Sequence, residues 1–329
     1  MMRYLLRRFL TMVPLLLIIS VAAFVIIQLP PGDYLTTYIA SLQASGEEVN
    51  LERVERLRQQ YGLDRPMYVQ YLKWMGGILQ GDLGRSFIYN RPVTELIWAR
   101  LGWTVLIVGL SLLASWAVAI PVGIYSAVKQ YGVTDYVVTF LGFFGMAAPP
   151  FLLALLVMMV ASRWFGLSLG GLFSAQYQDA PWSWMKLLDL AKHLIVPVLV
   201  LGVAGTGATI RTIRANLLDQ LHMPYVEAAR ARGLSEWKLL LKYPVRLAIN
   251  PLVSSIGGVL PALVSGSVIV AVVLNIPTVG PLLLEALLSQ DMFLAGSLVM
   301  ILAFLTMIGT IISDVLLAWL DPRIRFGKV

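Results

Sequence analysis

Few residues in this chain could do chemistry, and their spacing does not suit catalysis. The two histidines, His193 and His222, are far apart in sequence. With no cysteine in the 329 residues, neither has a thiolate partner, so a zinc site or a disulfide has almost no raw material. A nucleotide-phosphate loop needs Gly, four residues, Gly, Lys and Ser or Thr, because backbone N–H groups and the lysine must hold the phosphates. That string does not occur, nor does a Ser/His/Asp arrangement with local context or a pair of carboxylates with a defined site. Asp314 is the clearest ionisable group inside an apolar run, which makes it a candidate for proton relay. It lies some two turns before the polar segment Asp321-Pro-Arg-Ile-Arg, and a single acid so placed is better read as a helix-end anchor.

What remains is residues 224–251, the one polar island of its size in the C-terminal two thirds. Pro224 suits a helix start, where its missing N–H costs nothing, and Gly233 suits the left-handed residue that ends a helix. Tyr225, Ala228, Ala229 and Arg232 fall at i, i+3, i+4 and i+7, so one face carries two methyl-sized side chains flanked by a ring and a guanidinium. Glu227 and Arg230 add charge beside it. Such a face lets another chain's backbone or side chains come close; the alternative is a solvated amphipathic loop of the kind any polytopic protein carries. After Gly233 and Leu234, Ser235 is placed to cap a second helix running to about Leu247, with Trp237, Leu240 and Leu241 on one side.

The elements that must position this island are membrane helices. The chain is 58% hydrophobic and 13% charged, against roughly 25% charged in soluble domains. Runs at 9–29, 102–127, 137–165, 193–213, 252–274 and 294–320 are each long enough to cross a hydrocarbon core of about 30 Å. The first ends in Gln28-Leu29-Pro30-Pro31 rather than in a small-residue cleavage site, and is read as a retained helix. With the N-terminus inside, the inner segments hold fourteen of the 25 Lys and Arg and six of the 18 acids, which agrees with the bias of inner loops toward positive charge. The net charge of +7 is therefore assigned to inner loops and not to nucleic-acid binding. Prolines at 14, 121, 149, 150, 197 and 261 fall within spans and predict bends. Gly142 with Gly145, Gly202 with Gly205 and Ala262 with Gly266 have the spacing of helix contacts.

This gives an all-α polytopic membrane protein with six transmembrane helices. Residues 1–29 form the inner N-terminus and first helix, 30–101 a sizeable external region, and 102–320 the remaining five helices with the inner loop 214–251. Residues 321–329 form an inner tail. In the external region Asn50 can cap a helix striped by Leu51, Val54, Leu57 and Tyr61 and ended by Gly62. A second helix after Pro66 places Tyr68, Tyr71, Leu72, Met75 and Leu79 on one face with Trp74 beside it. Amphipathic aromatic helices of this kind lie on a membrane surface or dock a partner outside it.

Glu227, Ala228, Ala229 and Gly233 match the Glu-Ala-Ala, three residues, Gly pattern of the inner loop of bacterial ABC importer permeases, and the stretch resembles that loop. The usual Ile-x-Leu-Pro ending is replaced by Tyr243, Pro244, Val245 and Arg246, with a later proline at Asn250-Pro251. That later placement is similar to the oligopeptide and dipeptide branch. Tyr61-Gly-Leu-Asp-Arg-Pro-Met-Tyr-Val-Gln-Tyr-Leu and Gly81-Asp-Leu-Gly-Arg-Ser86 resemble the region after the first helix in the same branch. Pro277, Gly280 and Asp291 match its loop between the last two helices, where Thr278 replaces a glycine and Ala271 stands where many members have a glutamate.

The resemblance implies a type I ABC importer permease fold in a prokaryotic cytoplasmic membrane. It further implies a second, similar permease, two ATP-binding subunits that carry ATP and Mg, and an external solute-binding protein, with no cofactor bound by this chain. Glu227, Ala228, Ala229, Arg230, Gly233, Leu234 and Ser235 would couple to an ATP-binding subunit. The small face would come from Ala228 and Ala229, a polar contact or cap from Glu227, and the turn from Gly233. Peptides are the expected cargo, with nickel, glutathione or another small solute as alternatives. A gradient-driven transporter is the reading from another class, and Asp314 is its main support.

Overall fold

The computed structural model describes residues 2–46, 51–166 and 169–320, with the backbone alone at 2–9, 41, 51, 53, 60, 61 and 260–265. Asn50, the tail at 321–329 and the side chains of Pro261 and Ala262 thus lie outside the described residues. Among the described residues the chain is helical and has no strand. In order come α1 (Met2–Gln28), α2 (Tyr34–Ala44), α3 (Leu51–Tyr61), α4 (Met67–Leu79), α5 (Val93–Val128), α6 (Val133–Ala147) and α7 (Pro150–Phe165). Then follow α8 (Trp184–Leu221), α9 (Pro224–Ala231), α10 (Glu236–Lys242), α11 (Pro244–Ala248), α12 (Asn250–Val273), α13 (Val279–Leu288) and α14 (Met292–Leu320).

Helices α1, α5, α8 and α14 are each long and apolar enough to cross a membrane. The run expected to form the third span is broken: α6 and α7 meet at 99°. Pro149 and Pro150 remove two successive N–H donors, and Ala148 and Pro149 adopt extended backbone with ψ of 125° and 129°, so the helix cannot pass through. Single prolines have no such effect. Pro14, Pro121 and Pro197 remain inside continuous helices. The 24-residue α12 occupies the expected fifth run.

The chain divides into two compact units. In the unit containing Thr104–Pro277, helices α6, α7, α11 and α12 all pack on α8. At 38 residues α8 is about 57 Å long, well beyond the run predicted at 193–213. Its N-terminus is capped by Ser183, whose side chain accepts from the Lys186 backbone N–H. Glycine lets α6 and α8 touch: a Cβ on Gly207 would collide with the Gly142 carbonyl, and one on Gly145 would lie 3.1 Å from the Val203 side chain. Gly142 and Gly145 are helix contacts, as their spacing indicated. Phe140, Phe143, Phe144, Trp164 and Phe165 are exposed on α6 and α7, and the Arg211 guanidinium lies over the Phe143 ring, 4.9 Å from its centroid.

The other unit, Met2–Trp103 with Thr278–Leu305, is built on an aromatic and aliphatic core. Phe24 of α1 packs edge-on to Tyr71 with 5.4 Å between centroids and lies 6.0 Å from Trp74. Trp74 is fully buried, whereas Tyr68, Leu72 and Leu79 are exposed. The inward face of α4 is therefore centred on Tyr71, Trp74 and Met75, rotated from the predicted stripe because α1 supplies the ring that Trp74 packs on. Gly62 ends α3 with φ +71°, as the sequence predicts. Two helices were not anticipated. One is α2, whose first turn is capped by Asp33 accepting from the Thr36 backbone N–H at 2.8 Å. The other is α13, which occupies the stretch read as a loop between the last two helices.

Candidate functional site

The polar island forms an elbow of three short helices between α8 and α12. Gly233 follows α9 with φ +78°, a conformation a side chain resists, and open space surrounds it. The turn needs glycine for its backbone and not for its packing. Ser235 stands at the N-cap position of α10 but makes no capping bond, and the helix predicted to reach Leu247 is interrupted at Tyr243-Pro244, giving α10 and α11.

The two alanines of the predicted face part company. Ala229 is buried with Val226 and Leu239, with Tyr225, Leu234 and Tyr243 packed around them. Ala228, Glu227, Arg230, Arg232 and Ser235 are exposed. The reason lies in Gly233, which folds α10 back so that Leu239 covers one side of α9. Ala229 is thus a core residue of the elbow, and the open face combines Glu227 and Ala228 with the charges of Arg230 and Arg232. Across the turn, Arg230 and Glu236 form a two-bond ion pair at 2.6 and 3.1 Å. The Glu236 bond holds the Arg230 guanidinium above its ordinary pKa, and the guanidinium holds Glu236 below its own. Both groups lie in solvent, so the pair orients the turn more than it stabilises it. Trp237 is 70% and Leu241 58% exposed, a large apolar pair on a segment otherwise rich in charge.

Under that open face the elbow is fixed to long helices. Leu240, Val245, Ala248 and Leu252 are buried against Ile124 and Ala127 of α5 and Ile213 and Leu217 of α8. Each buried leucine, isoleucine or valine among them contributes about 1.5–3 kcal/mol, and each alanine methyl about 0.8 kcal/mol. Arg246 donates to the Trp319 carbonyl at 3.0 Å, satisfying a free carbonyl in the last turn of α14. Ser313 of α14 donates to the Val253 carbonyl at 2.6 Å, and Asp314 next to it is half-buried.

A buried polar cluster that sequence reasoning missed lies where α5, α6 and α8 converge. Asp135 accepts two bonds from Arg214, at 2.9 and 2.8 Å, together with bonds from Ser126 Oγ and the Tyr131 backbone N–H. Asp135 is almost fully buried and Arg214 largely so. Removing one partner of such a pair leaves an uncompensated charge and costs about 3–5 kcal/mol. The partners are 79 residues apart, so no local spacing could reveal the pair. The histidines do something simpler, each placing Nδ1 2.8 Å from the carbonyl four residues back, that of Asp189 or Leu218.

In the other unit, two stretches singled out in the sequence meet. Asp291, fully buried between α13 and α14, accepts from Ser86 Oγ at 2.6 Å, from the backbone N–H groups of Phe87 and Ile88 at 2.7 and 3.2 Å, and from Leu294 N–H at 3.1 Å. Burial pushes its carboxyl above the ordinary value, and these bonds pull the other way. All of its reach is spent inside the fold. Thr278 and Ala271, the two departures from the family pattern, are also buried.

A multi-span helical chain with a small-residue elbow clamped to its long helices is the architecture of a membrane permease component, and the sequence comparisons agree. Residues 119–326 match the family model described as "Binding-protein-dependent transport system inner membrane component", and residues 1–108 match the N-terminal model of the same system. The chain belongs to this family. It is similar to the oligopeptide transport system permease protein AppB of Bacillus subtilis, at 35% identity over 98% of this chain and 99% of the relative. A putative peptide permease protein of Brucella ovis is 34% identical over 99% of both chains. The glutathione transport system permease protein GsiC of Pectobacterium atrosepticum is 32% identical over 99% of this chain and the whole of the relative.

Proposed function

We propose that the chain forms half of the translocation pathway of an ATP-driven importer of short peptides, and that the elbow at α9–α10 is where an ATP-binding subunit grips it. The observation that carries this reading is the two-sided construction of the elbow. Its inner side is packed on α5 and α8 and bonded to the end of α14, while its outer side leaves Glu227, Ala228, Trp237 and Leu241 open. A partner that moves the outer side therefore moves the long helices as a rigid body. When two ATP-binding subunits close on ATP, the helices above tilt and the cavity opens outward; after hydrolysis they part and it faces inward. ATP and Mg belong to those partners. A second, similar permease completes the pathway, and a solute-binding protein delivers cargo.

In this reading both termini and the elbow face the inside, and residues 30–101 face the outside. The positive charge of the inner segments supports that orientation. Peptides are proposed as cargo because of the full-length similarity to oligopeptide and peptide permeases, and glutathione, itself a tripeptide, is of the same chemical class. The test is peptide uptake by the reconstituted transporter. Ala228→Glu, on the open face, should abolish uptake and release the ATP-binding subunit while leaving membrane insertion intact. Normal uptake in that variant would sink the coupling assignment.

A further inference from the structure

Arg211 is the one Asp, Glu, Lys or Arg in the apolar run 193–213 of α8, and its side chain is exposed. Ionisable side chains within membrane spans face the interior of a bundle or a water-filled path, and they mark the route of a solute or ion. Three residues further on, Arg214 gives two hydrogen bonds to Asp135, and that pair is closed. Arg211 forms no ion pair among the described residues. Its guanidinium lies over the Phe143 ring, 4.9 Å from the centroid, and Nη2 meets Met146 Sδ at 3.2 Å. A ring face and a thioether, itself a weak acceptor, hold a cation in place without neutralising it.

The direction of the side chain narrows the choice of anion. Gly142 lies on Gly207, and Gly145 lies against Val203, so α6 and α8 run antiparallel. Phe143 and Met146 therefore stand beside residues 203–207, about one to two turns from Arg211 toward the N-terminus of α8. In the orientation proposed above, the elbow that follows α8 is inside, so this direction leads into the membrane. An arginine that serves a lipid phosphate snorkels the other way, toward the nearer headgroups. Ala204, Ala208 and Ala215 share the face of α8 that carries Arg211, at i−7, i−3 and i+4, and none of them is buried. Small side chains on both sides leave the guanidinium open to a ligand.

We propose that Arg211 receives the terminal carboxylate of the cargo, and so makes the transporter prefer peptides with a free C-terminus. Its planar fork matches a carboxylate through two parallel N–H···O bonds, and Phe143 holds the fork in position before the ligand arrives. The choice of a peptide as cargo rests on the transport reading above.

The test is saturation-transfer NMR on the assembled transporter in nanodiscs, with the solute-binding protein left out and trialanine as the probe. Trialanine should bind, and trialanine amide, which lacks only the terminal carboxylate, should bind roughly tenfold or more weakly, because a charge-assisted hydrogen bond is worth about that factor. Arg211→Gln should weaken trialanine by a similar factor, so that acid and amide bind alike. Arg211→Lys, which keeps the charge and loses the fork, should restore part of the preference. Thermal unfolding of both variants should match the wild type, since the side chain is exposed. No binding of trialanine, equal binding of acid and amide by the wild type, or an unchanged preference in Arg211→Gln would each overturn the assignment. So would binding seen in phosphatidylcholine nanodiscs and lost in phosphatidylglycerol ones, which would give the guanidinium to a lipid phosphate. ATP-driven uptake of trialanine is measured separately, with the solute-binding protein present. Binding without uptake removes the transport reading alone, and uptake without binding that depends on Arg211 removes this assignment alone.

Discussion

The elbow at α9–α11 and the junction around Asp291 are both polar interruptions in an apolar chain, and they are built in opposite ways. At the junction every bond closes inward: one carboxylate takes four donors from Ser86, Phe87, Ile88 and Leu294 and is wholly buried. At the elbow the packing closes on one side only, through Ala229 and Leu239 inside and Leu240 and Val245 against α5 and α8. Its other side keeps a tryptophan and a leucine in the open. A site whose groups are all satisfied holds its own chain together. One that leaves a large apolar pair, Trp237 and Leu241, in the open is where the proposed partner would sit.

That contrast predicts where stability and where coupling are lost. The largest effect on folding should come from Asp291→Ala, which orphans four buried donors and should cost about 3–5 kcal/mol in thermal unfolding. Arg214→Ala should follow closely by stranding Asp135, and the double replacement Asp135→Asn with Arg214→Met should recover most of the loss. If the single and double changes were equally damaging, the pair would not be acting as a unit. Gly233→Ala should cost about 1–2 kcal/mol through its left-handed backbone alone, and should reduce uptake by disturbing the turn.

A smaller effect separates the junction from the elbow by pH. Burial holds the Asp291 carboxyl above its ordinary range, so the folded chain binds that proton more readily than the unfolded one. Its contribution to stability is full below the ordinary value of 3.8 and is lost as pH rises through the higher folded value. Asp291→Asn should flatten this part of the unfolding profile at a cost of about 1 kcal/mol for one imperfect bond. The elbow carboxylate Glu236 has the opposite sign, since its lowered value makes its contribution fall as pH drops. Lying in solvent, it should give a barely measurable slope.

How much of this was legible in the sequence depended on the range of the interactions. The apolar runs, the left-handed Gly62 and Gly233 and the short helix that begins at Pro224 are local patterns, and each was readable from spacing. The split into α6 and α7 was half readable, since two prolines predict a bend but not one of 99°. The inward turn of Ala229 was hidden because it depends on Leu239 folding back over α9, and a helical wheel of α9 alone places both alanines on one face. The Asp135–Arg214 pair and the Ser86–Asp291 bond join residues 79 and 205 positions apart, and only the fold brings them together. Asp291 was singled out by resemblance as part of a loop motif. Its role as an internal acceptor could be read only from the structure.

The absence of cysteine makes the central claim directly testable by single-site crosslinking. Ala228→Cys, Trp237→Cys and Ala229→Cys would each be introduced into the assembled transporter and crosslinked to its ATP-binding subunit. The two-sided elbow predicts strong crosslinking from positions 228 and 237 and none from the buried position 229. A transporter that still co-purifies with its ATP-binding subunit yet crosslinks from neither 228 nor 237 would contradict the account.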